Sequence, residues 1–318
     1  MQNKRALVIS GGGSKGAFGG GIAEYLIREC NFNYDIFVGT STGSLLVPLL
    51  SIDEIEKIRA IYTTVTQDSI FSSNPFIVYK DRGVYKTRIN HFGIIKMFLR
   101  GKKTFGESKN LFKLIKKIIT PSDFERMKNN TAEVYVTVSN LSTNTVEYKR
   151  LKDCSYIDFC QWIWASSNIV PFMSLLEKDG SEYADGGFAD LVPISEAIYR
   201  GATEVDVIVL KAKAGRALKR PVRNALELTT RAFDFMLDQI SSDDIKIGQL
   251  LSGNREVKLN FYYPPAQLTE NSLIFDPYQM KKWWRQGMNF AREQNPVCKC
   301  ISVGFENKPN LKAHDTGE

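Results

Sequence analysis

Long apolar runs are missing from this sequence. No segment approaches the roughly 18 consecutive apolar residues that a membrane-spanning helix requires. The run at 6–9 is also too short for the core of a secretory signal peptide. We therefore expect a cytoplasmic protein without a membrane span, which contacts membranes, if at all, only peripherally.

Cysteine and histidine are scarce. The five cysteines form no pair of C-x2-C units, which argues against a zinc site. Hydrophobic residues make up 43% of the chain, enough for a core that needs no disulfide framework. We therefore expect reduced thiols. The cysteines are Cys30, Cys154, Cys160, Cys298 and Cys300, and the two histidines are His91 and His314.

A strong charge imbalance is absent as well. The formal net charge is +7 over 318 residues, and the isoelectric point is about 9.0. An excess of this size fits a protein that binds nucleic acid or an anionic membrane, and also an ordinary basic surface. Charge alone therefore names no partner. We expect no nucleic acid as a partner.

Strand and helix patterns alternate along the chain. Buried strands are predicted at 5–10, 34–38 and 204–210. An alternating pattern predicts a further strand at 133–138, with a hairpin partner at 145–151. Alternating strands and helices are typical of an α/β fold. We therefore predict a largely parallel central sheet with an added antiparallel hairpin.

Linkers, repeats and low-complexity tracts are not found. We expect a single domain over 1–306, with 66–130 as an insertion or lid and 307–318 as a polar tail. Residues 66–90 are predicted to be irregular. Residues 183–193 are predicted to form a glycine-containing loop.

The segment Gly39-Thr-Ser-Thr-Gly43 supplies the sharpest sign of chemistry. It has the Gly-x-Ser-x-Gly pattern between a predicted strand and a predicted helix. Such a tight turn exposes the serine hydroxyl, and side chains at Gly39 or Gly43 would collide with neighbouring backbone. The helix that follows points unpaired N–H groups toward developing negative charge. We therefore predict that Ser41 is a nucleophile.

A serine nucleophile needs a base. The triad order of α/β-hydrolases is serine, acid, histidine, but His91 comes too early and His314 lies in the polar tail. A carboxylate base remains, and Asp185 is the candidate because Gly186 and Gly187 would let its backbone approach the serine. A dry site would raise its basicity. Asp-Gly is also a strong signal for an exposed turn, and this alternative stays open.

A glycine-rich loop follows the first predicted strand and opens a helix. Its consecutive glycines expose N–H groups that converge on an anion, such as the oxyanion of acyl transfer, with the N–H of Thr42 as a further donor. The loop also matches the G-x-G-x-x-G dinucleotide pattern, so a nucleotide- or phosphate-binding module is the alternative function. The loop consists of Gly11, Gly12, Gly13, Ser14, Lys15 and Gly16.

These three motifs, in this order, resemble the patatin-like phospholipases. Ala165-Ser-Ser-Asn-Ile-Val-Pro171 adds to the similarity, which covers about residues 5–210. The resemblance implies a three-layer modified α/β-hydrolase fold and a phospholipase A or lysophospholipase activity on membrane lipids or lysolipids. It also implies a Ser41–Asp185 dyad, an oxyanion hole from the backbone of the glycine run, and no metal or cofactor.

The sequence departs from the family pattern at three places. Ser10 stands where an acid commonly precedes the glycine run, and Lys15 replaces the usual arginine. Leu191 and Val192 precede Pro193, where asparagines are frequent. These changes remove no catalytic atom, and they bear on substrate preference.

Residues 94–119 are basic and apolar, with Glu107 as their one acidic residue. A basic amphipathic segment can lie on an anionic membrane. It can equally be a surface helix whose apolar side packs on the core. We carry the first interpretation as a hypothesis of peripheral membrane contact. A third functional possibility is a membrane-binding scaffold without catalysis.

Overall fold

A computed structural model describes residues 3–81, 84–213, 221–222 and 225–295 of the chain. The strands are β1 Arg5–Ile9, β2 Ile36–Thr40, β3 Phe76–Asp81, β4 Val84–Ile89, β5 Glu133–Asn140, β6 Thr145–Arg150, β7 Leu176–Lys178, β8 Ser181–Asp185, β9 Glu204–Ile208 and β10 Lys258–Tyr262. The α-helices are α1 Gly16–Glu24, α2 Thr42–Leu50, α3 Ile55–Tyr62, α4 Gln67–Ile70, α5 His91–Leu99, α6 Lys109–Ile118, α7 Pro121–Asn129, α8 Tyr156–Ser166, α9 Ile194–Tyr199, α10 Ala225–Arg255 and α11 Pro277–Gln294.

One sheet of eight strands forms the centre of the fold. Its order is β10-β9-β1-β2-β5-β8-β7, and β6 also pairs with β5. The strands from β10 to β5 are parallel neighbours, whereas β6, β8 and β7 are antiparallel additions. The predicted α/β class with a largely parallel sheet is confirmed. A separate antiparallel hairpin consists of β3 and β4.

Alternate residues of the central strands face two different apolar cores. Leu7 and Ile9 of β1 point into the core that holds residues of α1, α2, α8 and α11. Ala6 and Val8 of the same strand point to the other side, where residues of α9 pack. This period of two, with helices on both faces, gives three layers. None of the helices formed by the described residues has the length and apolarity needed to cross a bilayer.

Strand β5 is shared between two strands along one of its edges. β2 pairs with it as far as Thr40, opposite Thr137, and β8 takes over with Asp185 opposite Val138. β6 occupies the other edge. Because successive residues of a strand rise by about 3.3 Å, the end of β8 adjoins the chain that leaves the end of β2.

Two local predictions are wrong. Residues 66–90 are not irregular, because α4 and the β3–β4 hairpin lie within them. The run 76–79 is aromatic and β-branched, so its strand propensity, rather than periodicity, was the available signal. Asp185 is not on a loop but ends β8. This short strand pairs with its sequence neighbour β7 and with β5, which is distant in sequence.

The cysteines also differ from expectation. Cys154 and Cys160 are free thiols. Cys30 is disulfide-bonded, so the prediction of reduced thiols throughout is wrong at this position. Cys298, Cys300 and the predicted polar tail lie outside the described residues.

Candidate active site

The turn between β2 and α2 has the geometry of a nucleophile elbow. Ser41 has a φ of 55° and a ψ of −119°, a conformation that strains a residue with a side chain. A Cβ at Gly39 would lie 2.5 Å from the carbonyl of Gly43, and a Cβ at Gly43 would lie 2.1 Å from the carbonyl oxygen of Ile9. Both glycines are therefore required by close backbone packing.

The C-terminal end of α8 holds the strained serine in place. The Ser41 N–H donates a hydrogen bond of 3.0 Å to Ser166 Oγ. Its carbonyl accepts hydrogen bonds from the hydroxyls of Ser44, at 2.6 Å, and Ser167, at 3.2 Å. These bonds offset part of the cost of the positive φ, which is on the order of 1–3 kcal/mol.

Asp185 is placed beside this turn by the edge of β5. Its N–H donates to the carbonyl of Asn168, 3.0 Å away, which follows the serines at the end of α8. Its carboxylate Oδ1 accepts the N–H of Gly187 at 2.8 Å. A Cβ at Gly186 would lie 2.4 Å from the carbonyl oxygen of Thr137. The Asp-Gly-Gly segment is thus packed against β5 and is not an exposed turn.

The carboxyl of Asp185 is buried and half-satisfied. It is 3% exposed, and within the described residues its Oδ2 forms no hydrogen bond of normal geometry. Burial raises the pKa of Asp185 to about 7, while the hydroxyl of Ser41 and the N–H of Gly187 oppose the shift. The Ser41 hydroxyl therefore lies beside the carboxyl, but no well-aligned hydrogen bond joins them.

The glycine-rich loop provides fewer free N–H groups than predicted. The N–H of Gly11 already donates to the carbonyl of Leu191 at 3.1 Å, so it is not available to an anion. Within the described residues, the N–H groups of Gly12 and Gly13 have no partner. Thr42 is the first residue of α2, where backbone N–H groups lack partners within the helix. The candidate anion donors are therefore Gly12, Gly13 and Thr42.

The other two motif residues take different positions. A Cβ at Gly16 would lie 2.2 Å from Thr42 Oγ1, so Gly16 allows α1 to pack against the elbow. Lys15 is half-buried, and burial lowers its pKa while Asp238 and Asp234 of α10 oppose the shift. Lys15 thus places a cation between the glycine loop and α10.

Asp244 of α10 links the site to the outer helical layer. Its carboxylate accepts the N–H groups of Leu191, at 2.8 Å, and Val192, at 3.0 Å. The carbonyl of Leu191 in turn accepts the N–H of Gly11. Burial and the nearby charge of Asp190 raise the pKa of Asp244 to about 7. One carboxylate therefore fixes the chain that supports the glycine loop.

An apolar pocket opens beside Ser41. Its empty volume is about 830 Å³, which includes the open solvent at its mouth. Apolar side chains of α2, α3, α6 and α11 form its walls, among them Leu45, Ile58 and Leu114. Its polar lining includes Ser41 and Ser167, and the hydroxyl of Ser167 donates a hydrogen bond to the backbone carbonyl of Ser41. The pocket therefore presents an apolar wall next to the Ser41 hydroxyl.

The predicted basic segment 94–119 divides into two helices with different surroundings. The apolar side of α6 lines the pocket and is not free to meet a membrane, as Leu111 and Ile115 show. The apolar residues of α5 are largely exposed. His91 begins α5 and is exposed. His314 lies outside the described residues.

Sequence reasoning missed the three residues that position the elbow and the aspartate. Ser166, Ser167 and Asn168 act through hydroxyls or a carbonyl on the backbone of Ser41 and Asp185. They lie within the segment that supported the family resemblance, which was the only signal for them. Asp244 had no sequence signal, because it lies within a long helix far from the motifs.

Replacing Asp185 by Asn should stabilise the fold increasingly as pH rises. The folded-state pKa of about 7 lies above the ordinary aspartate pKa of 3.8, so stability is lost as pH rises between these two values. This difference in pKa corresponds to a cost on the order of 4 kcal/mol above pH 7. Calorimetry should find the gain in Tm of Asp185→Asn smaller at pH 5 than at pH 8.

Asp190 and Asp244 keep their raised pKa values in this variant, so the difference between the two proteins isolates Asp185. Asp153→Asn, at an exposed carboxyl, is the control and should change Tm little at either pH. A lower Tm of Asp185→Asn at pH 8 would contradict the assignment of a destabilised carboxylate.

Comparisons with known proteins bear on this site. The sequence model of the patatin-like phospholipases matches residues 7–198, which include the glycine loop, the elbow and the Asp-Gly-Gly segment. Comparison with curated proteins finds no match. Among solved structures, VipD from Legionella pneumophila is similar with 13% sequence identity and a TM-score of 0.49, over 93% of this chain and 67% of that one. Because the family model spans more than half of the chain, the protein belongs to the patatin-like phospholipase family.

Proposed function

We propose that the protein is a lipid acyl hydrolase that cleaves carboxylic esters with Ser41 as nucleophile and Asp185 as base. The observation that carries this proposal is the position of the Ser41 hydroxyl beside a buried carboxyl whose Oδ2 has no partner among the described residues. A carboxylate in such a site is a stronger base than one in water. Family membership supports lipid hydrolysis in general.

The proposed reaction has two steps. Asp185 takes the hydroxyl proton while Ser41 Oγ attacks the ester carbonyl, and the N–H groups of Gly12, Gly13 and Thr42 bind the oxyanion. The intermediate collapses, the acyl group stays on Ser41, and the alcohol leaves with the proton from Asp185. Water then attacks the acyl-serine while Asp185 takes its proton. As the second intermediate collapses, the bond between the acyl carbon and Ser41 Oγ breaks, Asp185 returns the proton to Ser41 Oγ, and the fatty acid is released.

The shape of the pocket supports an acyl substrate. Its walls are apolar, and its polar lining groups include the nucleophile itself. An acyl chain buried there would place its ester at the hydroxyl. The cavity therefore favours a phospholipid or lysophospholipid over a small polar ester.

The same pocket argues against the nucleotide-binding alternative. Two N–H groups of the glycine-rich loop are not available to a phosphate, because Gly11 and Ser14 donate to the carbonyls of Leu191 and Ser272. The space next to Gly13 is apolar and does not suit a base or a ribose. A scaffold without catalysis is disfavoured because two features lower the stability of the fold. They are the strained backbone of Ser41 and the buried carboxyl of Asp185, whose Oδ2 has no partner among the described residues.

Ser41→Ala should abolish ester hydrolysis, with a loss of at least about 10⁴-fold in kcat, because removal of a nucleophile leaves only binding and oxyanion stabilisation. A fluorophosphonate should label Ser41, as mass spectrometry of the digested protein would reveal. Ser51→Ala is the matched control. Ser51 directly follows α2, and its hydroxyl donates a hydrogen bond to the carbonyl of Pro48. Activity retained in Ser41→Ala, or a label on another residue, would exclude the dyad.

The pH dependence of kcat/KM should report the base. Asp185 acts only when ionised, so kcat/KM should rise about tenfold per unit below pH 7 and level off above it. Asp244→Asn should keep this inflection, because Asp244 supports a loop and accepts no substrate proton. A profile that is flat from pH 5 to pH 8 is incompatible with Asp185 as base.

Leu114→Trp should shorten the acyl chains that the enzyme accepts. Each methylene excluded from the pocket costs about 0.8 kcal/mol, or about fourfold in kcat/KM. Esters of long fatty acids should therefore lose activity, whereas short-chain esters should not. Lys113→Trp is the control, since the neighbouring Lys113 is exposed on the other side of α6. An equal loss for short and long chains would place the acyl group elsewhere.

A further inference from the structure

The positive charge of the protein is concentrated in one short segment. Residues 76–103 contain eight of the 42 lysines and arginines but only one of the 35 acidic residues. The other 290 residues therefore hold 34 charges of each sign, and the whole excess of +7 lies in this segment. Its described residues, 76–81 and 84–103, comprise β3, β4, α5 and the turn that follows, and we call them the basic apolar surface.

The outer face of α5 is apolar and has no cover. Phe92 is 89% exposed and Leu99 is 84% exposed, and Ile95 and Phe98 are also exposed. These positions follow the spacing of one helical face, whereas Met97 on the opposite side is buried. Solvent-exposed apolar clusters of this kind mark interaction sites.

Basic side chains border this apolar face. Lys96 and Arg100 are exposed, and neither forms an ion pair with any residue that the structure describes. Further along, Lys102 pairs with Glu107, and Lys103 pairs with Glu182. On the hairpin, Tyr79 and Tyr85 are partly exposed. An apolar face with a basic border and amphipathic tyrosines is typical of segments that lie in the interface of an anionic bilayer.

Aromatic contacts connect this surface to the candidate site. Phe98 on α5 begins a series that ends at Phe188, three residues after Asp185. The ring centroids of successive pairs are 6.0 Å apart for Phe98–Phe105, 6.2 Å for Phe105–Phe172, 5.9 Å for Phe172–Phe233 and 6.0 Å for Phe233–Phe188. Met173, next in sequence to Phe172, lines the pocket. A continuous series of ring contacts therefore links α5 to the chain that follows Asp185.

We propose that the basic apolar surface docks the protein on anionic lipid bilayers, with Phe92 and Leu99 entering the interface and Lys96 and Arg100 contacting acidic head groups. The segment carries +7 in sequence, and although Lys102 and Lys103 pair with acidic residues outside it, Lys96 and Arg100 are exposed and form no ion pair with a described residue. Free positive charge beside an apolar face matches a negative lipid surface and selects this partner over a neutral one. The inference goes beyond the proposed hydrolysis, because docking requires no chemistry at Ser41.

The test is flotation of the Ser41→Ala protein with vesicles. Vesicles of phosphatidylcholine with phosphatidylserine should bind the protein, vesicles of phosphatidylcholine alone should bind it weakly, and salt should release it. Lys96→Glu with Arg100→Glu should weaken binding by at least about 25-fold, as each charge near the surface contributes about fivefold. Phe92→Ser with Leu99→Ser should weaken it by at least about tenfold.

Two matched controls carry the same changes elsewhere. Lys281→Glu with Lys282→Glu alters two exposed lysines of α11, and Leu250→Ser removes an exposed apolar side chain of α10. Both should bind as the parent does. Equal binding to both vesicle types, no binding to either, or equal effects of the control and test variants would overturn the proposal, as would a stable dimer that the α5 variants dissociate.

Because binding is measured without catalysis, a failure of docking is distinct from a failure of the proposed hydrolysis. In the active protein, the α5 variants should retain hydrolysis of a water-soluble short-chain ester within about twofold, since α5 contributes no side chain to the pocket. Their hydrolysis of lipid in anionic vesicles should fall with binding. Loss of both activities together would mean that α5 serves the fold of the site.

Discussion

The candidate site depends on how one edge of β5 is divided between two strands. β2 delivers Ser41 at its end, and β8 begins its pairing at the next position of β5, with Asp185 opposite Val138. The two side chains are 144 positions apart in sequence, yet their neighbourhood is set by backbone hydrogen bonds within one sheet. The close contact between Gly186 and Thr137 of β5 follows from this arrangement.

The features that lower the stability of the fold are concentrated at the same place. Ser41 has a positive φ, and the buried carboxyl of Asp185 has one oxygen for which the described part of the chain offers no partner. The surrounding structure holds both through the backbone, since the end of α8 binds the elbow with Ser166 and Ser167. Strain and desolvation of this kind are typical of functional sites, where they are compensated by packing elsewhere.

The region between the elbow and β5 contains two helices whose apolar faces have different surroundings. α6 turns its apolar side inward and forms part of the pocket wall, and α5 leaves its outer apolar face in solvent beside the basic residues. α5 has one lysine in nine residues and α6 has four in ten, yet the more apolar helix is the one left exposed, so composition does not predict which apolar face is buried. Only the packing of α6 against the rest of the core decides which apolar face remains free.

The sequence by itself determined the α/β class, the elbow at Ser41 and the three ordered motifs of the family, because these depend on local periodicity, turn sterics and residue identity. It did not determine that Asp185 ends a strand, that the N–H of Gly11 is already occupied, or that Asp244 supports the loop behind it. Those facts arise from pairing and burial between segments distant in sequence. Such contacts leave no local pattern, so only the tertiary structure decided them.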